Sequence, residues 1–441
     1  MFNFKNISYF ILLTSYLLTS CSVQKQIGKS AKADVLSTKA LETAHVGISI
    51  YDLAAGKYLY NYQGDHYFVP ASNTKIPTCY AAMKYLGDSL VGLRYSLDEG
   101  ELTISATGDP TFMHGDFKSH PVLDFLNKMK DRTMISFTTS NWKDKQWGSG
   151  WAWSDYDASY MAERSPFPIY GNVANFSLKG NQISAYPSAF DTCIHYLPGG
   201  YPDSADISRG LNDNLFWIKK GRSKFKQIDI PFQTKTYDVS LLLLGDLIKT
   251  NRPVYKLPDY LIKSFSYQTI HSQPTDSVLK PMMHRSDNFF AEQMLLMVSN
   301  EKLGVMNDEA IIDTLLKADF KDLPQKPRWA DGSGLSRYNL FSPQDMVAIL
   351  KKMKDEFGME RIKTVFPTGG EGTISSYYKN EAGFIYGKTG TLSGVVAFSG
   401  FLYTKKGKLL IFSTLVNNHN ESATDVRRAI EKFLVGVRDN F

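Results

Sequence analysis

Cysteine is scarce in this chain: three among 441 residues, at Cys21, Cys79 and Cys193. So few exclude a disulfide scaffold. Cys79 lies inside the apolar run IPTCYAAMKYL and reads as a small buried hydrophobe, with no bridge to Cys193 expected. Histidines are not clustered either. His114, His120, His195, His271, His284 and His419 are scattered, so a structural zinc site is not expected. Beyond the N-terminus no apolar run reaches the roughly 18 residues that a membrane-spanning helix requires; LLLLGDLI at 241–248 is too short. Concentrated positive charge is missing as well. The formal charge is +6, and the small cluster Lys219, Lys220, Arg222, Lys224 and Lys226 reads as a solvated segment. A nucleic-acid partner is therefore not expected.

What is present is an ordinary globular composition, 43% hydrophobic and 21% charged, in a chain long enough to bury large cores without metal or disulfide staples. The opening MFNFKNISYFILLTSYLLTSC has one lysine, then an apolar run, then small residues before Cys21. That is an export signal, set apart from the fold. Its ending, Leu18-Thr19-Ser20-Cys21, resembles the bacterial lipoprotein signal, which implies lipidation of Cys21. Residues 22–35 are polar and lysine-rich and read as a tether.

Periodicity then organises the chain. VGISIYDL and KYLYNY read as a hairpin turned at Ala54-Ala55-Gly56. A helical pattern follows VPASNTK to about Leu86. Residues 118–130 suit a helix, and about 132–235 alternate in short runs rich in turn residues, with Trp151 and Trp153 spaced as on a strand. A helix is expected over 236–251, and more over about 286–299, 307–317 and 343–356. Three strands follow in FIYGKTG, VVAFSGFLYT and KLLIFSTLVNN, with a last helix in ATDVRRAIEKFLVGV. The expected architecture is α/β (α+β): an antiparallel sheet flanked by helices, interrupted by a large strand-rich insert. Its expected boundaries are a signal over 1–21, a tether over 22–35, one domain over 36–95 and 263–441, and an accessory region over 96–262.

The chemistry gathers at three short stretches. Ser72 and Lys75 stand three apart at a helix head, and i,i+3 residues share a helix face. A serine hydroxyl needs a base within about 3 Å, and a lysine serves only if burial or another cation lowers its pKa. Ser286-Asp287-Asn288 offers a second hydroxyl to relay a proton and an amide to bind a carbonyl. Lys388-Thr389-Gly390-Thr391 offers a cation, a hydroxyl for a carboxylate, and a glycine that lets a substrate backbone approach a strand edge.

In the order S-x-x-K, S-x-N, K-T-G, these stretches resemble the penicillin-recognising serine enzymes. The likeness extends to the class C low-molecular-weight penicillin-binding proteins, the D-alanyl-D-alanine carboxypeptidase/endopeptidase family (serine peptidase S13 type). It is carried by Pro70-Ala71-Ser72, Gly108-Asp109-Pro110-Thr111, Asp331-Gly332-Ser333-Gly334-Leu335-Ser336-Arg337, Gly369-Gly370-Glu371-Gly372-Thr373 and Gly387-Lys388-Thr389-Gly390-Thr391-Leu392. The resemblance implies a beta-lactamase/transpeptidase-like fold, with Ser72 as acylated nucleophile and Lys75 as base. Ser286, Asn288 and Lys388 complete the catalytic set, while Thr389, Gly390 and Thr391 line the substrate strand. It implies peptidoglycan stem peptides and cross-links as substrates, beta-lactams as covalent inhibitors, and neither metal nor organic cofactor. A beta-lactamase or esterase on the same fold, or an inactive wall-binding lipoprotein, is the alternative. The export signal and substrate together imply a periplasm-facing protein anchored by lipid, at the outer membrane of a two-membrane bacterium.

Several residues are read more plainly. Asp109 and Asp331 suit turn caps, Arg337 a structural ion pair, Trp151, Trp153 and Tyr170 core packing, and Glu371 a turn rather than a catalytic role. Pro77 is expected just beyond the free N–H groups of its helix, where it would bend it.

Overall fold

The computed structural model describes residues 23–441 apart from 99, 132–133, 180–181, 200–204, 220, 222–224, 236–237, 251, 253 and 259–265. Cys21 and the 1–21 signal lie outside the described residues, as do Lys220, Arg222 and Lys224.

The main sheet has five antiparallel strands in the order β14-β15-β16-β1-β2. They are β1 (His45–Asp52), β2 (Lys57–Tyr62), β14 (Ile385–Leu392), β15 (Val395–Tyr403) and β16 (Leu409–Asn417). The first and last parts of the chain thus meet in one sheet, with Ser49 opposite Ser413 and Ser413 opposite Ser399. Both faces are covered, so β15 and β16 are almost wholly buried and read as continuous apolar runs. On one face lies the C-terminal helix Ala423–Asn440, whose Val426, Ile430, Phe433 and Val437 form a helical stripe against Ile48, Phe398 and Phe412. On the other face, helices Lys75–Tyr85, Thr275–His284, Asn288–Leu303 and Pro343–Val365 pack around Met294, Leu295, Met282 and Ile349.

The expected tether is not an extended linker over its described part. Residues 23–31 are α-helical and continue into a wider, π-helical turn at Lys32–Leu36. Ile27, Ala31 and Val35 recur every four residues, and all three are buried with the C-terminal helix. A polar composition hid this narrow apolar stripe. Asp34 also pairs with Lys432 at 2.9 Å.

Among the described residues, the accessory region holds a second five-stranded sheet, in which β12 (Val254–Lys256) is the edge of the order β12-β5-β4-β3-β13, and two three-stranded sheets, one of β8 (Ile194–Tyr196), β10 (Phe216–Lys219) and β9 (Asp206–Arg209), the other of β11 (Ile228–Pro231), β6 (Val173–Lys179) and β7 (Gln182–Tyr186). The second sheet is mixed: β4 (Glu101–Ser105) runs parallel to β5 (Met134–Thr138). Its strands β3 (Ser89–Asp98) and β13 (Gln268–Pro274) pair with each other, so its sheet runs from Ser89 to Pro274, outside both ends of 96–262. Trp151 and Trp153 are not on a strand. Trp153 opens a 3-10 turn, Trp153–Asp155, and is 75% exposed, because Gly148 and Gly150 break the segment into turns.

Candidate active site

The nucleophile candidate is set by a strained turn. Ala71–Thr74 forms a 3-10 turn running directly into the helix Lys75–Tyr85. Thr74 Oγ1 donates to the Ala71 carbonyl at 2.9 Å, and Asn73 Nδ2 donates to Ser399 Oγ at 2.7 Å, tying the turn to β15. Just before it, Asn417 brackets Val69 through both backbone groups, at 2.7 and 3.0 Å. Ala71 sits at φ 47°, a left-handed conformation that costs a non-glycine residue about 1–3 kcal/mol and persists only where packing over-determines it. The α-helix proper starts at Lys75, so Pro77 falls in its first turn, where the N–H needs no partner. The bend expected there has no cause.

Lys75 is fully buried, and its Nζ reaches three oxygens: Ser72 Oγ at 3.1 Å, Asn288 Oδ1 at 2.6 Å and the Ser333 carbonyl at 2.6 Å. The last two can only accept. Asn288 is oriented by its Nδ2, which donates to the Tyr160 carbonyl at 2.9 Å. A neutral amine therefore spends its two N–H bonds on Asn288 and Ser333 and turns its lone pair to Ser72. Burial pushes the Lys75 pKa down to about 8, against the opposing pull of Asp331, Glu292 and Asp287.

Ser286 and Asn288 stand at the head of the helix Asn288–Leu303, whose N-cap is Asp287, accepting the Phe290 N–H at 2.9 Å. Ser286 is left-handed, φ 63°. Its Oγ accepts from Lys388 Nζ at 2.8 Å, and Lys388 also donates to the Thr389 carbonyl at 2.7 Å. Lys388 is fully buried in β14, and burial, with Lys75 nearby, holds its pKa well below the ordinary lysine value.

Two glycines let two segments close on the turn that carries Ser72. A Cβ on Gly390 would stand 2.6 Å from the Pro70 carbonyl and 2.9 Å from the Ser72 nitrogen, so β14 runs against the nucleophile turn. Gly334, at φ +85°, brings the 331–337 loop against the other side, where a Cβ would meet the Ala71 carbonyl at 1.9 Å.

These residues open on a cleft of about 810 Å³ lined by Ser72, Ser286, Asn288, Thr389, Thr391 and Arg427. Thr389 Oγ1 donates to Thr373 Oγ1 at 2.7 Å. Arg427, from the C-terminal helix, donates to Thr391 Oγ1 at 2.7 Å and adds a cation to the wall. Sequence reading missed Arg427, which stands in the unremarkable helical string DVRRAIEK; nothing local marks it. Ser333, inside the string DGSGLSR, likewise has no local signal that would give it a role. Arg337 donates to the Ser393 carbonyl at 2.8 Å instead of meeting a carboxylate. Asp331 builds its own loop, accepting from Gly334 N–H at 2.8 Å, Ser336 N–H at 2.7 Å and Trp151 Nε1 at 3.0 Å. Asp109 does the same for Thr111. Glu371 is exposed in a turn, 3.9 Å from His284. Tyr170 lines a separate cavity of about 520 Å³ beside Ser286 and Asn288.

Comparison with known proteins gives one consistent result. The family model of the D-Ala-D-Ala carboxypeptidase 3 (S13) family matches residues 29–188 and 265–437. The chain is 24% identical over 434 residues to D-alanyl-D-alanine carboxypeptidase DacB of Haemophilus influenzae, covering 87% of this chain and 88% of that protein. It is 25% identical to the D-alanyl-D-alanine carboxypeptidase of Actinomadura sp. (strain R39), covering 88% and 80% respectively. Among solved structures, penicillin binding protein 4 (dacB) from Haemophilus influenzae superposes with a TM-score of 0.70 at 19% identity, over 93% of this chain and 98% of that one.

Proposed function

Because the chain belongs to the S13 family of D-Ala-D-Ala carboxypeptidases, and is thus a serine peptidase of the penicillin-binding type, we propose that it cleaves peptidoglycan stem peptides through an acyl-enzyme on Ser72. The observation that carries this is Lys75: buried, 3.1 Å from Ser72 Oγ, with both other partners obligate acceptors.

In this reading Ser72 Oγ attacks the penultimate D-alanine carbonyl while its proton passes to Lys75 Nζ. The developing oxyanion is held by the backbone N–H groups of Ser72 and Thr391, a role supported by the close approach of Gly390 to the Ser72 nitrogen. Asn288 faces the substrate backbone. Collapse of the intermediate breaks the peptide C–N bond, and the leaving amine takes a proton through Ser286 from the lysine pair. Water then attacks the ester, releasing the shortened peptide and restoring the Ser72 hydroxyl. Thr389, Thr391 and Arg427 suit the terminal carboxylate, because an arginine beside two hydroxyls gives charge-assisted bonds. A beta-lactam presents a strained amide in similar geometry and acylates the same serine; a structure of the Haemophilus relative was solved with a beta-lactam.

The function extends to place as well as chemistry: lipidation at Cys21 tethers the domain at the outer membrane, facing the periplasm. The test is digestion of purified peptidoglycan with products identified by mass. Release of D-alanine, or separation of cross-linked dimers, is expected from the wild type and is lost in Ser72→Ala. Intact peptidoglycan with both proteins would overturn the reading. Rapid turnover of penicillin with no action on peptidoglycan would point to a beta-lactamase instead.

A further inference from the structure

Glu292 lies one helical turn beyond Asn288, on the same face of the helix Asn288–Leu303. It is buried, at 1% exposure. Its Oε1 accepts the Ser333 N–H at 2.7 Å, and the Ser333 carbonyl accepts from Lys75 Nζ at 2.6 Å. One helix thus grips the lysine twice, directly through Asn288 and indirectly through Ser333. Behind Glu292 stands Arg164, also buried, whose Nη1 reaches Glu292 Oε2 at 3.3 Å and Asp308 at 2.5 Å, while Nη2 reaches Asp144 at 2.8 Å. Arg164 also donates to the carbonyls of Lys145 and Trp147. It is a single cation facing three carboxylates, anchored to the accessory region's side of the molecule. The loop carrying Ser333 is held from its other side by Asp331, which accepts the Gly334 N–H.

We propose that Glu292 is a positioning residue for the reaction: braced by Arg164, it fixes Ser333 so that the Ser333 carbonyl holds one Lys75 N–H and the amine's lone pair stays on Ser72. The proposal rests on the acyl-enzyme reading above. It goes beyond the three motifs, because neither Glu292 nor Arg164 belongs to any of them.

The charge of Glu292 also acts on Lys75. The groups facing the amine are Lys388 from β14, Asp287 and Glu292 from the helix and its cap, Asp331 from the loop, and Arg164 through Glu292. Lys388 disfavours a charged Lys75; the three carboxylates favour it. Burial and the Asp331 carboxylate push Glu292 itself up to about 8, so its charge develops over the same pH range in which Lys75 loses its proton. Replacing Glu292 by a neutral amide removes one stabiliser of the ammonium form and leaves Arg164 less compensated. Both effects move the amine's loss of its proton to lower pH.

The experiment is the pH profile of acylation by a fluorescent penicillin, measured by stopped flow on the full-length protein. Glu292→Gln keeps an acceptor for the Ser333 N–H and leaves Arg164 paired with Asp144 and Asp308. Its rising limb is expected to shift to lower pH by about half a unit or more. Glu292→Ala removes the acceptor, and its plateau acylation rate is expected to fall about tenfold or more. Unfolding of Glu292→Ala, seen by circular dichroism, would leave the Gln profile to decide. A Glu292→Gln limb superimposable on wild type overturns the proposal, as does a folded Glu292→Ala with an undiminished plateau. A wild-type protein that takes no label overturns the acyl-enzyme reading, and this proposal with it.

Discussion

At the scale of single residues, the proposed chemistry turns on Lys75 and Lys388. An exposed lysine titrates near 10.4 and is no base at neutral pH. Burial takes Lys75 down to about 8. In the proposed mechanism acylation of Ser72 requires the neutral amine, so its rate is expected to rise with pH through about 8 and then level off, as read by stopped-flow penicillin labelling. Lys75→Ala should cut the plateau by about 10²–10⁴-fold, the usual contribution of a positioned base. The same shift appears in stability. Between about pH 8 and the ordinary 10.5, the unfolded chain binds a proton that the folded one does not. The lysine's burden on folding is therefore largest below about pH 8 and lessens as pH rises through that window.

Elements bring these residues together, and here glycine and strain matter more than charge. The nucleophile turn is pinched between Gly390 on β14 and Gly334 on the 331–337 loop. Gly390→Ala puts a methyl group 2.6 Å from the Pro70 carbonyl and 2.9 Å from the Ser72 nitrogen. The obstacles are backbone, so the turn must move. A displacement of this kind is expected to lower penicillin acylation about 10²-fold with the fold retained, measured beside a thermal melt. The N-terminal helix carries the opposite kind of prediction, stability without chemistry. Ile27 is fully buried against the C-terminal helix. Ile27→Ala should cost about 2–5 kcal/mol in denaturant unfolding and leave the acylation rate of the folded protein unchanged.

Over the whole molecule, the first and last thirds of the chain share one sheet, and the accessory region stands beside the cleft. Arg164 of that region reaches Glu292, and the Tyr160 carbonyl orients Asn288. The accessory region therefore contributes to the order of the candidate active site as well as to its walls. The proposed attachment to the membrane is separable from the chemistry. If Cys21 is the lipid site, Cys21→Ala is expected to move the protein from the membrane pellet to the soluble periplasmic fraction without changing penicillin labelling. An unaltered pellet fraction would count against the anchor.

Much of this was written locally. A period near 3.6 announced the helices Asp308–Lys317 and Ala423–Asn440, and apolar runs bounded by turns announced β14, β15 and β16. Ser72 and Lys75 are neighbours by helical spacing alone, and the chemical classes of the three motifs can be read residue by residue. The helix over 23–31 was obscured because its stripe is only one residue wide within a lysine-rich string. Other features have no local signature at all. Ser72, Ser286 and Lys388 come from far-separated parts of the chain; Arg427 joins Thr391 only because the C-terminal helix crosses the sheet there; Ala71 and Ser286 are held left-handed by their surroundings. The division has a physical cause. Periodicity and residue chemistry act over a few bonds, so sequence determines them; distance, desolvation and strain depend on what packs against a residue, and only the tertiary structure supplies that.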